Sequence, residues 1–278
     1  MQRPGDGMID WGRVAKPQED GSDTAAIEWL IEASPPPWHP VDPPPAAPAE
    51  AARVEGTVSV GPHGGPVLPG PRFVPLDDVP ATVTEAVALV RHWPAMARQW
   101  PRIVHQIQPF ADSEASHRSR LGSCSHNVRD RFGVIAMTTE CPLGTAQAIV
   151  HETAHHKLRA MGVDNEAAIR IIRNPPDQVF HSPVVGRPRP MTALLHAHYS
   201  FVHVIELDLA MLRADSDPAR RADILTLLGR NVPRVAESGE SIERHAMLDE
   251  PGERFIAALL DWTAAALAEG EKALRNPR

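Results

Sequence analysis

The chain has 278 residues, with 35 Asp and Glu against 28 Lys and Arg, a formal charge of −7, 14 histidines, 29 prolines and two cysteines. At about 150 residues per domain this is one or two domains, and the acidic balance excludes an electrostatic nucleic-acid binder. Two cysteines are too few for a disulfide scaffold, and Cys124 and Cys141 lack the CxxC spacing of a structural zinc or thiol-redox motif; the N-terminus has no apolar signal-peptide stretch and no run approaches the about 20 apolar residues of a membrane span, so a cytoplasmic protein is expected.

In chain order, Ser22 or Asp23 is expected to cap a short helix through Ile31, stopped by Pro35. Fourteen of the prolines fall between Pro35 and Pro80, and PPPWHPVDPPPAAP reads as an extended linker. RVEGTVSV, a GPHGG turn and the return through PVLPGPRFVPL predict a hairpin or arm whose strands are edge strands over 53–75. Residues 1–77 are thus expected as a Pro-rich extended N-terminal region, and 78–278 as the catalytic domain. Val83, Val87, Leu89, Val90 and Trp93 predict an amphipathic helix, and 102–110 and 131–139 predict strands. Helices then dominate, from Leu143 to a stop at Gly162, from Met191 to Leu212, and near 218–230, 234–247 and 252–274, with a Pro-rich loop over 174–190. The expected class is α+β, a mainly helical domain with a small sheet and a metal site between its two long helices.

HETAH, residues 151–155, supplies that site. Positions i and i+4 share one helical face, so His151 and His155 can converge on one ion, as in metallopeptidases where the Glu, here Glu152, is general base. A third ligand must come from elsewhere. The metzincin position is Met161, and Glu166 lies too close to His155 to fold back. On the second long helix, Thr192, His196, Tyr199, His203 and Glu206 fall within an arc of roughly 80°, with Ala193, Leu194, Ala197, Phe201, Val204 and Ile205 largely outside it. This stripe is expected to face HETAH, with His196 as third ligand, Glu206 in reserve and His181 and His198 less favoured. A nucleophilic Cys124–His126 pair is disfavoured, because residues two apart rarely present the geometry.

FGVIAMT, AQAIVHETAHHKL and SPVVGRPRPMTALLHAHYSF together resemble the HExxH family of peptide-modification proteins found with ribosomally synthesised peptide natural products. The resemblance covers roughly 131–205. It implies an iron(II)- and 2-oxoglutarate-dependent peptide β-hydroxylase, with His151, His155 and His196 as iron ligands and O₂ and a precursor peptide as substrates. Oxygenase sites usually combine two histidines with a carboxylate, so an all-histidine set departs from the pattern and keeps zinc hydrolysis open. The distal carboxylate of 2-oxoglutarate needs a cation, for which Arg189 is the first choice. Lys157 belongs to the family string, but its helical angle points it away from the metal. Tyr199, and likewise His203, is a candidate to hydrogen-bond the cofactor or a ligand's second nitrogen. The alternatives are a zinc metallopeptidase using Glu152 and a non-catalytic peptide-binding scaffold; the strand edge at 53–75 is a candidate for pairing with the peptide.

Overall fold

The computed structural model describes residues 9–33, 50–62, 72–76, 80–113, 121–128 and 131–276. The chain begins with α1 (Trp11–Val14), capped by the Asp10 carboxylate accepting from the Gly12 and Arg13 amides, and α2 (Ser22–Ala33). Trp11, Val14, Ile27 and Leu30 are buried in the same apolar cluster as the helices that follow. The described parts of 1–77 therefore share the core of 78–278 rather than forming a separate arm. The predicted linker over 34–49 lies outside the described residues.

The sheet absorbs the predicted hairpin at a different turn. β1 (Arg53–Val54) and β2 (Val58–Val60) pair antiparallel across Glu55 and Gly56, both at positive φ. β2 also pairs in parallel with β4 (Gln106–Asp112), while β3 (Phe73–Pro75) pairs antiparallel with the far end of β4. With β5 (Ser125–Val128) and β6 (Arg131–Met137) the order is β1-β2-β4-β6-β5. β2 is thus interior, and the edge expected to receive a peptide is occupied by β4.

The helix predicted around 83–93 is two. α3 (Ala81–Val90) ends before α4 (Pro94–Ile103), because Pro94 takes a first-turn position where its missing N–H costs nothing. The strand predicted from 102 starts only at 106, after α4 has finished. Part of the predicted loop is a hairpin, β7 (Val179–Ser182) with β8 (Arg187–Pro190). The stretches at 218–230 and 234–247 are one helix, α7 (Pro218–His245), in which exposed Pro233 projects its ring into solvent.

Three further helices complete a mixed α/β, mainly helical fold with a small sheet: α5 (Pro142–Ala160), α6 (Met191–Ala214) and α8 (Glu250–Arg275). α5 packs on β5 and β6 and against α6, which is enclosed in turn by α7 and α8. Both α5 and α6 are buried along nearly their whole length. No helix among the described residues is long and apolar enough to cross a membrane.

Candidate metal centre

The end of α5 sets the site. Gly162 adopts φ 88, a left-handed conformation that ends the helix two turns after His155, and the Val163 amide bonds back to the Leu158 carbonyl. The reversal aims the Val163 carbonyl at α6, where it accepts from His196 Nε2 at 3.0 Å. His196 Nδ1 lies 2.9 Å from His155 Nδ1, and His155 Nε2 lies 3.0 Å from His151 Nε2. Because a carbonyl only accepts, the proton positions follow from that anchor. His196 carries its proton on Nε2, His155 donates from Nδ1 to His196, and His151 donates from Nε2 to His155. Each neutral ring has one proton and each close contact one donor.

Burial favours this neutral state. It lowers His151 and His196 to about 4 and holds His155 well below the ordinary value, where the neighbouring histidines push it further down. Neutral imidazole is the form that binds metal, and His151 and His155 remain partly open to the cavity described below. Two donors each about 2.1 Å from one ion lie about 3.0 Å apart when they subtend about 90°, so the His151–His155 separation suits a shared ion. His196 touches the other nitrogen of the His155 ring. Its joining the same ion requires rotation of a ring; the His151–His155 pair requires no rotation, only that the His151 proton move from Nε2 to Nδ1.

Glu152 is the nearby carboxylate, and its ligand atom lies within 4.8 Å of those of His151 and His155. Both its oxygens are engaged by the edge strand β5, one accepting from Ser125 Oγ at 2.7 Å and the other from Asn127 Nδ2 at 3.1 Å. Burial raises its pKa, against the lowering effect of these bonds and of His126. Glu152 thereby ties the helix that carries His151 and His155 to the sheet.

A cavity of about 460 Å³ opens over the histidines. α5 contributes Gly144, Gln147, Ala148, His151 and His155, and α6 contributes Ala193, His196, Ala197, Phe201 and Val204. The α6 wall is thus largely the set expected to face elsewhere, with His196 at its border. Arg189 lines the cavity as expected, and so does Arg230 of α7, which sequence reasoning missed. Neither guanidinium has a carboxylate within ion-pair distance among the described residues; the Arg230 Nε donates only to Asn231 Oδ1 at 3.2 Å.

The rest of the predicted stripe lies away from the cavity. Tyr199 and His203 are fully buried with Trp262, whose ring centroid is 6.5 Å from Tyr199 and 4.8 Å from His203. Lys157 also points away from His151 and His155, as its helical angle predicted, and is fully buried 3.6 Å from Asp23 and 5.7 Å from the Tyr199 ring. None of the three lines the cavity, so a cofactor-binding part for Tyr199, His203 or Lys157 has no geometric support. Their side of α6 faces α8 and the N-terminal helices, which a helical wheel does not reveal. Thr192 bonds the Asn165 carbonyl, and Glu206 is held by Trp262, Lys16 and Arg213. His198 is satisfied by Ser238 and Thr263, and exposed His181 sits 3.7 Å from Glu237. The Cys124–His126 geometry differs from expectation: Sγ and Nε2 are 3.3 Å apart where the chain enters β5, with Cys124 at the cavity wall.

No protein-family model matches the chain, and no curated protein matches it significantly.

Proposed function

We propose that the protein is an iron(II)- and 2-oxoglutarate-dependent oxygenase that hydroxylates the β-carbon of a residue in a ribosomally made precursor peptide, in the cytoplasm. What carries the reading is one juxtaposition, neutral His151, His155 and His196 beside a cavity that also holds the unpaired Arg189 guanidinium. Imidazole donors with a carboxylate at hand suit iron as well as zinc. A keto diacid needs a cation for its distal carboxylate, and a guanidinium suits it.

When bound, iron(II) with the keto acid supplies oxygen activation coupled to decarboxylation to succinate. The chain's own residues do the positioning. His151 and His155 offer nitrogens from one helical face, and the Val163 carbonyl fixes the tautomer of His196 so that its Nδ1 lone pair faces the site. Arg189, at the cavity wall, would hold the distal carboxylate. Ala193, Ala197, Phe201 and Val204 give the cavity an apolar wall that limits water at the reacting carbon.

The proximity of Glu152 to both imidazoles favours a second reading, zinc-dependent peptide hydrolysis with Glu152 as base. Its engagement by Ser125 and Asn127 weighs against it. Anaerobic reconstitution with iron(II), followed by air, 2-oxoglutarate and candidate precursor peptides, separates the two. Peptide-dependent succinate and a mass gain of one oxygen atom are expected, and they persist in Glu152→Gln. Cleavage with zinc alone that collapses in Glu152→Gln would overturn the proposal, and failure to take up metal would leave a peptide-binding scaffold.

A further inference from the structure

α5 and α6 pack antiparallel, and the cavity follows their seam. His155 meets His196, the His151 and Phe201 ring centroids lie 5.1 Å apart, and Gln147 meets Asp208. The α6 lining from Ala193 to Val204 spans about 16 Å of helix axis. Arg189 enters at one end, from the strand that leads directly into α6. Arg230 enters from α7 at the other end, near enough to Asp208 for their charges to interact. His151 and His155 lie between.

Asp208 makes no ion pair with Arg230 within 4.0 Å: both its oxygens accept from Gln147 Nε2, at 2.7 and 2.9 Å, and burial raises its pKa to about 8 against the lowering effect of Gln147 and Arg230. The cavity wall that Arg230 joins includes the small or apolar Gly144, Ala148 and Val204. A half-buried guanidinium in such a wall is costly unless something brings it an anion. A keto acid held at the histidines and reaching one arginine leaves the other, across the metal position, to face the substrate.

We propose that Arg230 is a carboxylate subsite for the substrate: the residue presented to the histidines, or its immediate neighbour, carries a carboxylate, as an Asp or Glu side chain or as the C-terminus of the peptide. The assignment of Arg189 to the keto acid rests on the function proposed above, while the Arg230 subsite is testable without it.

The test is calorimetric titration of the full chain with three probes. N-acetyl-aspartate α-amide carries only a side-chain carboxylate, N-acetyl-alanine only a terminal one, and N-acetyl-asparagine amide none. At least one carboxylate probe is expected to bind ten times tighter than the neutral one, and which of them does so distinguishes side chain from terminus. Arg230→Gln abolishes the preference, and Arg230→Lys keeps part of it. Equal binding of all three probes, or a preference that survives Arg230→Gln, would overturn the subsite. Titration with 2-oxoglutarate is scored separately and depends on Arg189. If the keto acid does not bind while the carboxylate preference still depends on Arg230, the oxygenase reading fails and the subsite stands.

Discussion

On the cavity side of α5 and α6, His151, His155 and His196 hand protons along a chain that ends on the Val163 carbonyl. On the opposite side, Lys157, Tyr199 and His203 are packed with Asp23, Trp93 and Trp262, and among the described residues neither Lys157 Nζ nor His203 Nε2 has a hydrogen-bond partner. Both sides are polar and both depress basic groups through burial. They differ in access: one opens to a cavity, and the other is sealed by aromatic rings. Polar residues on a helix therefore mark a site only where the neighbouring elements leave room, and the sealed side is an ion pair and ring stack that holds α2, α5 and α8 together.

The largest effect expected concerns Asp208, behind the cavity wall. Its folded pKa of about 8 exceeds the ordinary 3.8, so the folded state binds a proton that the unfolded state has lost between those values. Its stabilising contribution is complete below about pH 4 and is lost as pH rises through 8, at most about 6 kcal/mol. Subtracting parent from Asp208→Asn urea stabilities isolates this group from the histidines, which titrate with the opposite slope. The difference is expected near zero at pH 4, to favour the variant increasingly up to pH 8, and to level off above. A flat difference would mean that Asp208 is ionised when folded and pairs with Arg230 after all.

Next comes the sealed side. Asp23 accepts from the Gln18 amide and from Gln99 and is the counter-charge for Lys157. Removing it by Asp23→Ala leaves a buried ammonium alone, at a cost of about 3–5 kcal/mol in chemical denaturation. Zinc bound per folded molecule is expected to stay unchanged. A parallel fall in metal affinity would show that the two sides act as one unit.

His155→Ala inverts that pattern. It removes the ring that touches both other imidazoles, and competition with a zinc chelator is expected to show a loss beyond the about 10- to 100-fold typical of a residue that only supports a ligand. The effect on stability should be small, because the side chain borders the cavity.

The sequence was most legible where chemistry depends on spacing within one element. HETAH on a helix that stops at Gly162, and the partnership with His196, needed only helical geometry and a turn rule. Arg230 was not legible, because its place at the cavity follows from how α7 crosses α6, and nothing in RNVPR marks it. Tyr199 and His203 share the arc of His196, but a wheel gives angles and not neighbours. In an enclosed helix every angle is buried, so the arc could not separate the cavity from the core. The N-terminal segments misled for a related reason. Two- and three-residue strands carry too little alternation to signal pairing, yet their partners on β4 hold β2 inside the sheet.

The smallest effect expected tests the link from backbone to ligand. At Gly162, alanine must adopt φ 88, and its methyl would meet Ile169 Cγ1 at 2.8 Å. Left-handed backbone costs a non-glycine residue roughly 1–2 kcal/mol. Gly229, inside α7, gives the opposite case: a methyl there meets Leu274 Cδ2 at an ordinary 3.7 Å without positive φ, so alanine is expected to stabilise by about 0.5–1 kcal/mol. The two variants should therefore shift thermal unfolding in opposite directions. Only Gly162→Ala should also weaken zinc binding, by about tenfold, because displacing the Val163 carbonyl frees His196 to take the tautomer whose proton blocks Nδ1. Equal metal affinity in both variants would show that the carbonyl does not set the tautomer and that His196 is positioned by packing alone.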